Sequence, residues 1–194
     1  KFGMTQLSKQ NVPLSSNVNL DDPNSPEANP TKCRSLLGAV LCASVATRPD
    51  TACAVSKLAR CSQDPRAVHY EQARKLVKYL INTQHYKITY SSNPAEPEAF
   101  VDASWASDER EGKSRTGHFL RCAAGPTTWR SKLQSVEANS SSEAEYIAMS
   151  ECCREVTFIR ELLAELNEAV AKPTLMQVDN DAAIAIATKP SFTQ

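Results

Sequence analysis

Three acidic residues stand where an acid asks for a reason. Asp102 lies inside the apolar run AFVDASW, Glu145 near the start of SSEAEYIAMSECCREV, and Asp179 at the end of TLMQVDND. Aspartate is disfavoured within strands, so Asp102 is out of place by propensity alone. In open α/β sheets, sites gather at the carboxyl ends of parallel strands, and Asp179 falls at such an end. If the three segments meet, three carboxylates share one place. Forced together, they repel and their pKa values rise unless cations neutralise them. Hard divalent cations with oxygen ligands do this, Mg2+ above all. A carboxylate cluster holding two such ions is the usual arrangement for phosphodiester chemistry.

The choice of Glu145 over Glu143 comes from helical spacing. Met149, Cys152, Val156, Ile159, Leu163 and Leu166 recur at steps of three and four, so they form one face of a helix. Four residues before Met149 is Glu145, which continues that stripe, whereas Glu143 falls elsewhere. Capping competes with catalysis here. Ser142 with Glu145, and Ser140 with Glu143, both fit the S-x-x-E capping box. Taken alone, capping is the better reading of the glutamates, and an N-cap is the better reading of Asp179.

The elements that would position these acids follow from the rest of the chain. Residues 1–31 are polar and lack periodicity, and they read as a linker. Residues 32–92 read as a helical module: TKCRSLLGAVLCASVA, a second helix over 50–62 opened by Pro49, and RAVHYEQARKLVKYLINT with Tyr70, Ala73, Leu76, Val77 and Leu80 inward. KITYSS at 87–92 alternates like a strand, and NPAEPE at 93–98 marks a boundary. Residues 93–194 change character. EAFVDASW, TGHFLRCAAG and TTWRSKLQSV read as three strands, the last two joined at Gly125-Pro126. A long helix, the strand TLMQVDND and a short helix NDAAIAIATK follow. Three consecutive strands imply antiparallel pairing, and strand–helix–strand implies a parallel crossover, so the sheet is mixed.

Composition narrows the class. No apolar run among the 194 residues is long enough to span a membrane. The seven cysteines include no C-x-x-C pair, which argues against zinc and for reduced, mostly buried thiols in an intracellular protein. Residues 1–97 carry 12 Lys and Arg against 7 Asp and Glu, and residues 98–194 carry 10 against 15. That fits a basic module for a polyanion beside an acidic one for cations, although chance asymmetry of solvated faces gives the same counts. A serine or cysteine hydrolase is a poor reading, since His69, His85 and His118 have no evident nucleophile partner. The start at Lys-Phe-Gly-Met suggests a fragment or a processed piece.

The blocks FVDASWASDEREGKSRTGHFL, TTWRSKLQSVEANSSSEAEYIAMSE and VDNDAAIAIA closely resemble the ribonuclease H domain of copia-type retrotransposon Pol polyproteins. There the corresponding blocks read roughly DADWAGD…KSTSGY, WxSKKQ…SSTEAEYxA and VDNQSA. The segment from SLLGAVLCASVATRPD to HYKITYSS resembles the helical connection region that precedes that domain, and KFGM the turn closing the polymerase part. The resemblance implies an α/β, ribonuclease H-like mixed sheet after a small helical module. It implies Asp102, Glu145 and Asp179 as ligands of Mg2+, with Mn2+ as a substitute, and cleavage of the RNA strand of RNA–DNA hybrids. Backbone contacts would fall to Lys113, Arg115, Arg130 and Lys132 around the site, and to Arg74, Lys75 and Lys78 on the helical module, each singly more often plain surface charge. The partners implied are the hybrid and a reverse transcriptase domain of the same polyprotein, in the cytoplasm within a virus-like particle and in the nucleus.

The chain also departs from that family. A fourth acid on a last helix, and the final strand, have no counterpart before Gln194, and Asp181 is no substitute. Ser104 stands where the first block usually has Asp, and Asp181 where the third has Gln. The alternative function is therefore an inactive or repurposed fragment that binds nucleic acid or protein as a scaffold.

Overall fold

The computed structural model describes residues 10–92, 96–108 and 110–189. KFGM and residues 93–95 of the expected boundary lie outside them. The chain forms two compact units that divide between Ile88 and Thr89. No helix among the described residues is long and apolar enough to cross a membrane.

The first unit is helical: α1 (Pro30–Ala46), a 3-10 turn (Pro49–Thr51), α2 (Ala52–Arg60) and α3 (Ala67–Asn82). Asn29 caps α1 by accepting the Lys32 N–H, and Pro30 opens it without wasting a donor. Cys33, Leu36, Leu37 and Val40 of α1 pack with Ala54, Val55 and Leu58 of α2 and with Ala73, Leu76 and Tyr79 of α3. Leu14 and Leu20 also pack on this core, so part of the expected linker is folded. His69 explains why. Its Nδ1 accepts the Arg66 N–H at 2.8 Å, which leaves Nε2 as the donor to the Leu20 carbonyl at 2.6 Å.

The second unit is α/β. Its sheet has the order β3-β2-β1-β4, with β1 (Glu98–Ser104), β2 (Arg115–Cys122), β3 (Gly125–Leu133) and β4 (Leu175–Gln177). β1–β2 and β2–β3 are antiparallel and β1–β4 is parallel, which gives the mixed sheet expected of a ribonuclease H-like fold. α4 (Ser141–Glu165) crosses from β3 to β4, and α5 (Asp181–Thr188) follows. Ala99 and Val101 of β1 and Leu120 of β2 bury against Ala148, Cys152 and Ile159 of α4, with Met149, Val156 and Leu163 at the margin. Leu166, expected on that stripe, is 62% exposed, because the helix ends there and Leu166 is its C-cap.

Three further expectations need correction. The β2–β3 turn is Ala123-Ala124, both at positive φ (51° and 61°), not Gly125-Pro126. Gly125 begins β3 because a Cβ there would collide with the Tyr90 ring and lie 2.8 Å from the Thr89 carbonyl. KITYSS forms no strand. It meets the hairpin at its turn, where Ser91 N–H donates to the Ala123 carbonyl at 2.7 Å and no ladder develops. The thiols are not mostly buried: Cys33, Cys61 and Cys152 are, but Cys42, Cys53 and Cys153 are exposed.

Candidate metal centre

The site forms where β1 outruns β4. Their parallel ladder covers only Glu98–Phe100 against Leu175–Gln177. Beyond it β1 continues to Ser104, and the chain after Gln177 turns toward α5. Glu145 reaches β1 beyond the end of that ladder. Its Oε1 accepts the Ala103 N–H at 3.1 Å, so a helix carboxylate takes a strand donor. Glu145 is 5% exposed, and its Oε2 is buried with no hydrogen-bond partner.

Capping does not use up these acids. Ser140 caps α4, accepting the Glu143 N–H at 3.1 Å, and Glu143 turns back to the Asn139 N–H at 2.7 Å. The Ser142–Glu145 box does not form; Ser142 Oγ instead donates to Asn180 Oδ1 at 3.4 Å. Asn180, not Asp179, caps α5, accepting the Ala183 N–H at 2.9 Å. Asp179 is thereby left exposed beside the cap, and Asp102 is exposed on β1.

Asp102, Glu145 and Asp179 each offer one oxygen, and the three oxygens lie within 4.8 Å of one another. The electrostatics register the crowding. Burial pushes the Glu145 carboxyl above its usual range, the Ala103 N–H pulls against this, and the charges of Asp102 and Asp179 push it further up. An all-oxygen donor set, mutual repulsion and an orphaned buried Oε2 are what a hard cation such as Mg2+ would satisfy. The cluster can therefore hold a metal ion.

The basic residues are more dispersed. Lys113 is paired with Glu111 at 2.6 Å. Arg115 opens β2 opposite Ser104 and is buried, so it offers no exposed surface charge. Arg130 and Lys132 are exposed on β3, with Lys132 3.9 Å from Glu151. Arg74, Lys75 and Lys78 are half-buried on α3 in the other unit, Arg74 bonded to Glu71 at 3.2 Å. His118 is buried on β2, and burial holds its pKa down, with Glu155 opposing, Arg130 reinforcing and Glu151 opposing.

Sequence comparison adds independent observations. No family model matches the chain, and no solved structure does. The secreted RxLR effector protein 161 of Plasmopara viticola is 35% identical over 126 residues, which are 64% of this chain and 89% of that protein. The retrovirus-related Pol polyprotein from transposon TNT 1-94 of Nicotiana tabacum is 31% identical over 173 residues, 86% of this chain but 13% of the polyprotein. That from transposon RE1 of Arabidopsis thaliana is 30% identical over 165 residues, 84% of this chain and 11% of the polyprotein. The chain thus corresponds to a small part of each polyprotein and to nearly all of the effector. It belongs to the family of effector protein 161, and most of its length is similar to a segment of retrovirus-related Pol polyproteins of transposons.

Proposed function

We propose that the second unit is a ribonuclease H, a metal-dependent endonuclease that cleaves the RNA strand of RNA–DNA hybrids during retrotransposon reverse transcription. The observation that carries this reading is the meeting of Asp102, Glu145 and Asp179, and Oε2 of Glu145 is buried and unbonded. Bound Mg2+, or Mn2+ in its place, would neutralise these charges and supply the Lewis acidity that hydrolysis of a phosphodiester needs.

The chain's own part is placement and access. Ala103 N–H fixes the Glu145 carboxylate from one side, and its burial keeps Oε2 dry. Asp102 and Asp179 face solvent, so a nucleic-acid strand can approach the same oxygens. Preference for RNA would rest on 2′-hydroxyl contacts across the minor groove. Arg130 and Lys132, exposed on the edge strand β3, are the best placed of the candidate cations to meet phosphates. The reverse transcriptase domain of a Pol polyprotein is the partner this reading implies.

The second reading is a scaffold that binds nucleic acid or protein without cutting. It is favoured by the relative named an effector, of which the chain spans 89%. An end-labelled RNA–DNA hybrid, incubated with Mg2+ or Mn2+, separates the two. Cutting of the RNA strand that disappears in Glu145→Gln establishes the nuclease. Absence of cutting by the folded chain, with hybrid retained in a gel shift, establishes the scaffold.

A further inference from the structure

Gln134 follows β3 in the loop leading to α4 and is 2% exposed. Its backbone N–H donates to the Ser114 carbonyl at 2.8 Å. Its side-chain Nε2 donates twice, to the Ala144 carbonyl at 2.9 Å and to Thr116 Oγ1 at 3.1 Å. The orientation of the amide is fixed, because a carbonyl can only accept. One side chain thus ties β2 to the first turn of α4, at the residue that precedes Glu145.

Packing alone does not ask for this residue. The Ala144 carbonyl lies in α4, where helix geometry already provides it with an N–H four residues on, so the Gln134 bond is an added tether. Oε1 of Gln134 is buried without a partner, a penalty that an apolar side chain of similar volume would avoid. Both donors are used at the cost of the acceptor. What the tether controls is the rotation of the first turn of α4, on which the direction of the Glu145 side chain depends.

We infer that Gln134 is a positioning residue for Glu145. Its amide holds the first turn of α4 against β2, so that Oε1 of Glu145 meets the Ala103 N–H and the carboxylate stays beside Asp102 and Asp179. The functional meaning of this role rests on the metal-centre reading above. Its geometry can be tested without it.

The test is Gln134→Met, of similar volume but without donors, beside Thr116→Val, which frees the amide from β2 and leaves the Ala144 bond. Amide hydrogen exchange at Ala103, compared with Val101 in the same strand, reads the Glu145 contact directly. Calorimetric titration with Mn2+ alone reads the cluster. In Gln134→Met, exchange at Ala103 should quicken roughly tenfold relative to Val101, and Mn2+ affinity should fall roughly tenfold, as for other partners that orient metal ligands. Thr116→Val should shift both the same way and less, and it carries the test if Gln134→Met does not fold. Unchanged Ala103 exchange in a folded variant overturns the inference, whatever happens to thermal stability. Failure of the unsubstituted chain to bind Mn2+ overturns the metal reading instead, and Ala103 exchange then decides the role of Gln134 alone.

Discussion

Glu145 is held in a form that folding alone would not choose. Its carboxylate is buried, half-bonded and beside two other acids. Because its folded pKa is raised, the folded state binds the proton more tightly than the unfolded one. The charged form therefore costs stability above the folded pKa, and that cost is relieved as pH falls toward the unfolded value of about 4.3. Glu145→Gln removes the charge at constant shape. In metal-free buffer at pH 7 it should raise stability by about 1 kcal/mol, a gain that shrinks toward pH 4. The same substitution should abolish the stabilisation that added Mn2+ gives the unsubstituted chain. Thermal melts with and without Mn2+ check both, and a variant less stable than its parent in chelator would show that the carboxylate is structural. The choice of Glu145 over Glu143 was legible from spacing, because a stripe of period 3.6 fixes which residues face the sheet. That Asp179 escapes capping was not legible: Asn180 beside it is an equally good N-cap, and only the geometry of the turn decides between them.

At the scale of elements, the β2–β3 hairpin shows both what a sequence pattern carries and where it misleads. The two strands were legible from their alternation, but Gly-Pro drew the turn two residues too far along. A two-residue hairpin with both residues at positive φ usually takes Asn-Gly, and this one uses Ala123-Ala124, which nothing local marks as a turn. Ala124→Gly should relieve the left-handed strain and stabilise the second unit by about 1 kcal/mol. Gly125→Ala should destabilise it by about 1–3 kcal/mol, since backbone at Thr89 has little room to give. Denaturant titrations of the pair test whether glycine is needed at 125 and merely absent at 124. In the first unit, the link between the 3-10 turn and α3 rests on charge. Arg48 bonds Asp50 at 2.7 Å and the Thr83 carbonyl at 3.4 Å, and the Tyr79 hydroxyl donates to Asp50 at 2.7 Å. Burial pushes the Asp50 carboxyl up, but the hydrogen bonds from Arg48 and Tyr79 outweigh it and leave the pKa below its ordinary value. A depressed folded pKa contributes stability that is complete above the unfolded value of about 3.9 and is lost as pH falls through the folded one. Asp50→Asn should therefore lower stability at pH 7 and flatten the acid limb below about pH 4, as circular dichroism against pH would read.

At the scale of the whole chain, charge is divided more sharply than composition suggests. Residues 1–88 carry 12 Lys and Arg against 6 Asp and Glu, and residues 89–194 carry 10 against 16. The acidic unit brings three carboxylates together, so without bound cations it should repel a polyanion rather than hold one. If the chain binds an RNA–DNA hybrid, affinity from the helical unit should follow counterion release, and affinity at the carboxylate cluster should require a divalent metal. Lys75→Glu with Lys78→Glu, on the half-buried flank of α3, separates these contributions. The pair should weaken hybrid binding about equally for all sequences. It should also make the slope of log affinity against log salt shallower by about 1 for each phosphate that the chain ceases to neutralise. The dependence on Mn2+ should stay the same. Fluorescence anisotropy with a labelled hybrid, titrated over salt with and without Mn2+, gives both numbers. An unchanged salt slope would leave the basic charge of the first unit as a solvated face and assign the whole nucleic-acid surface to the second.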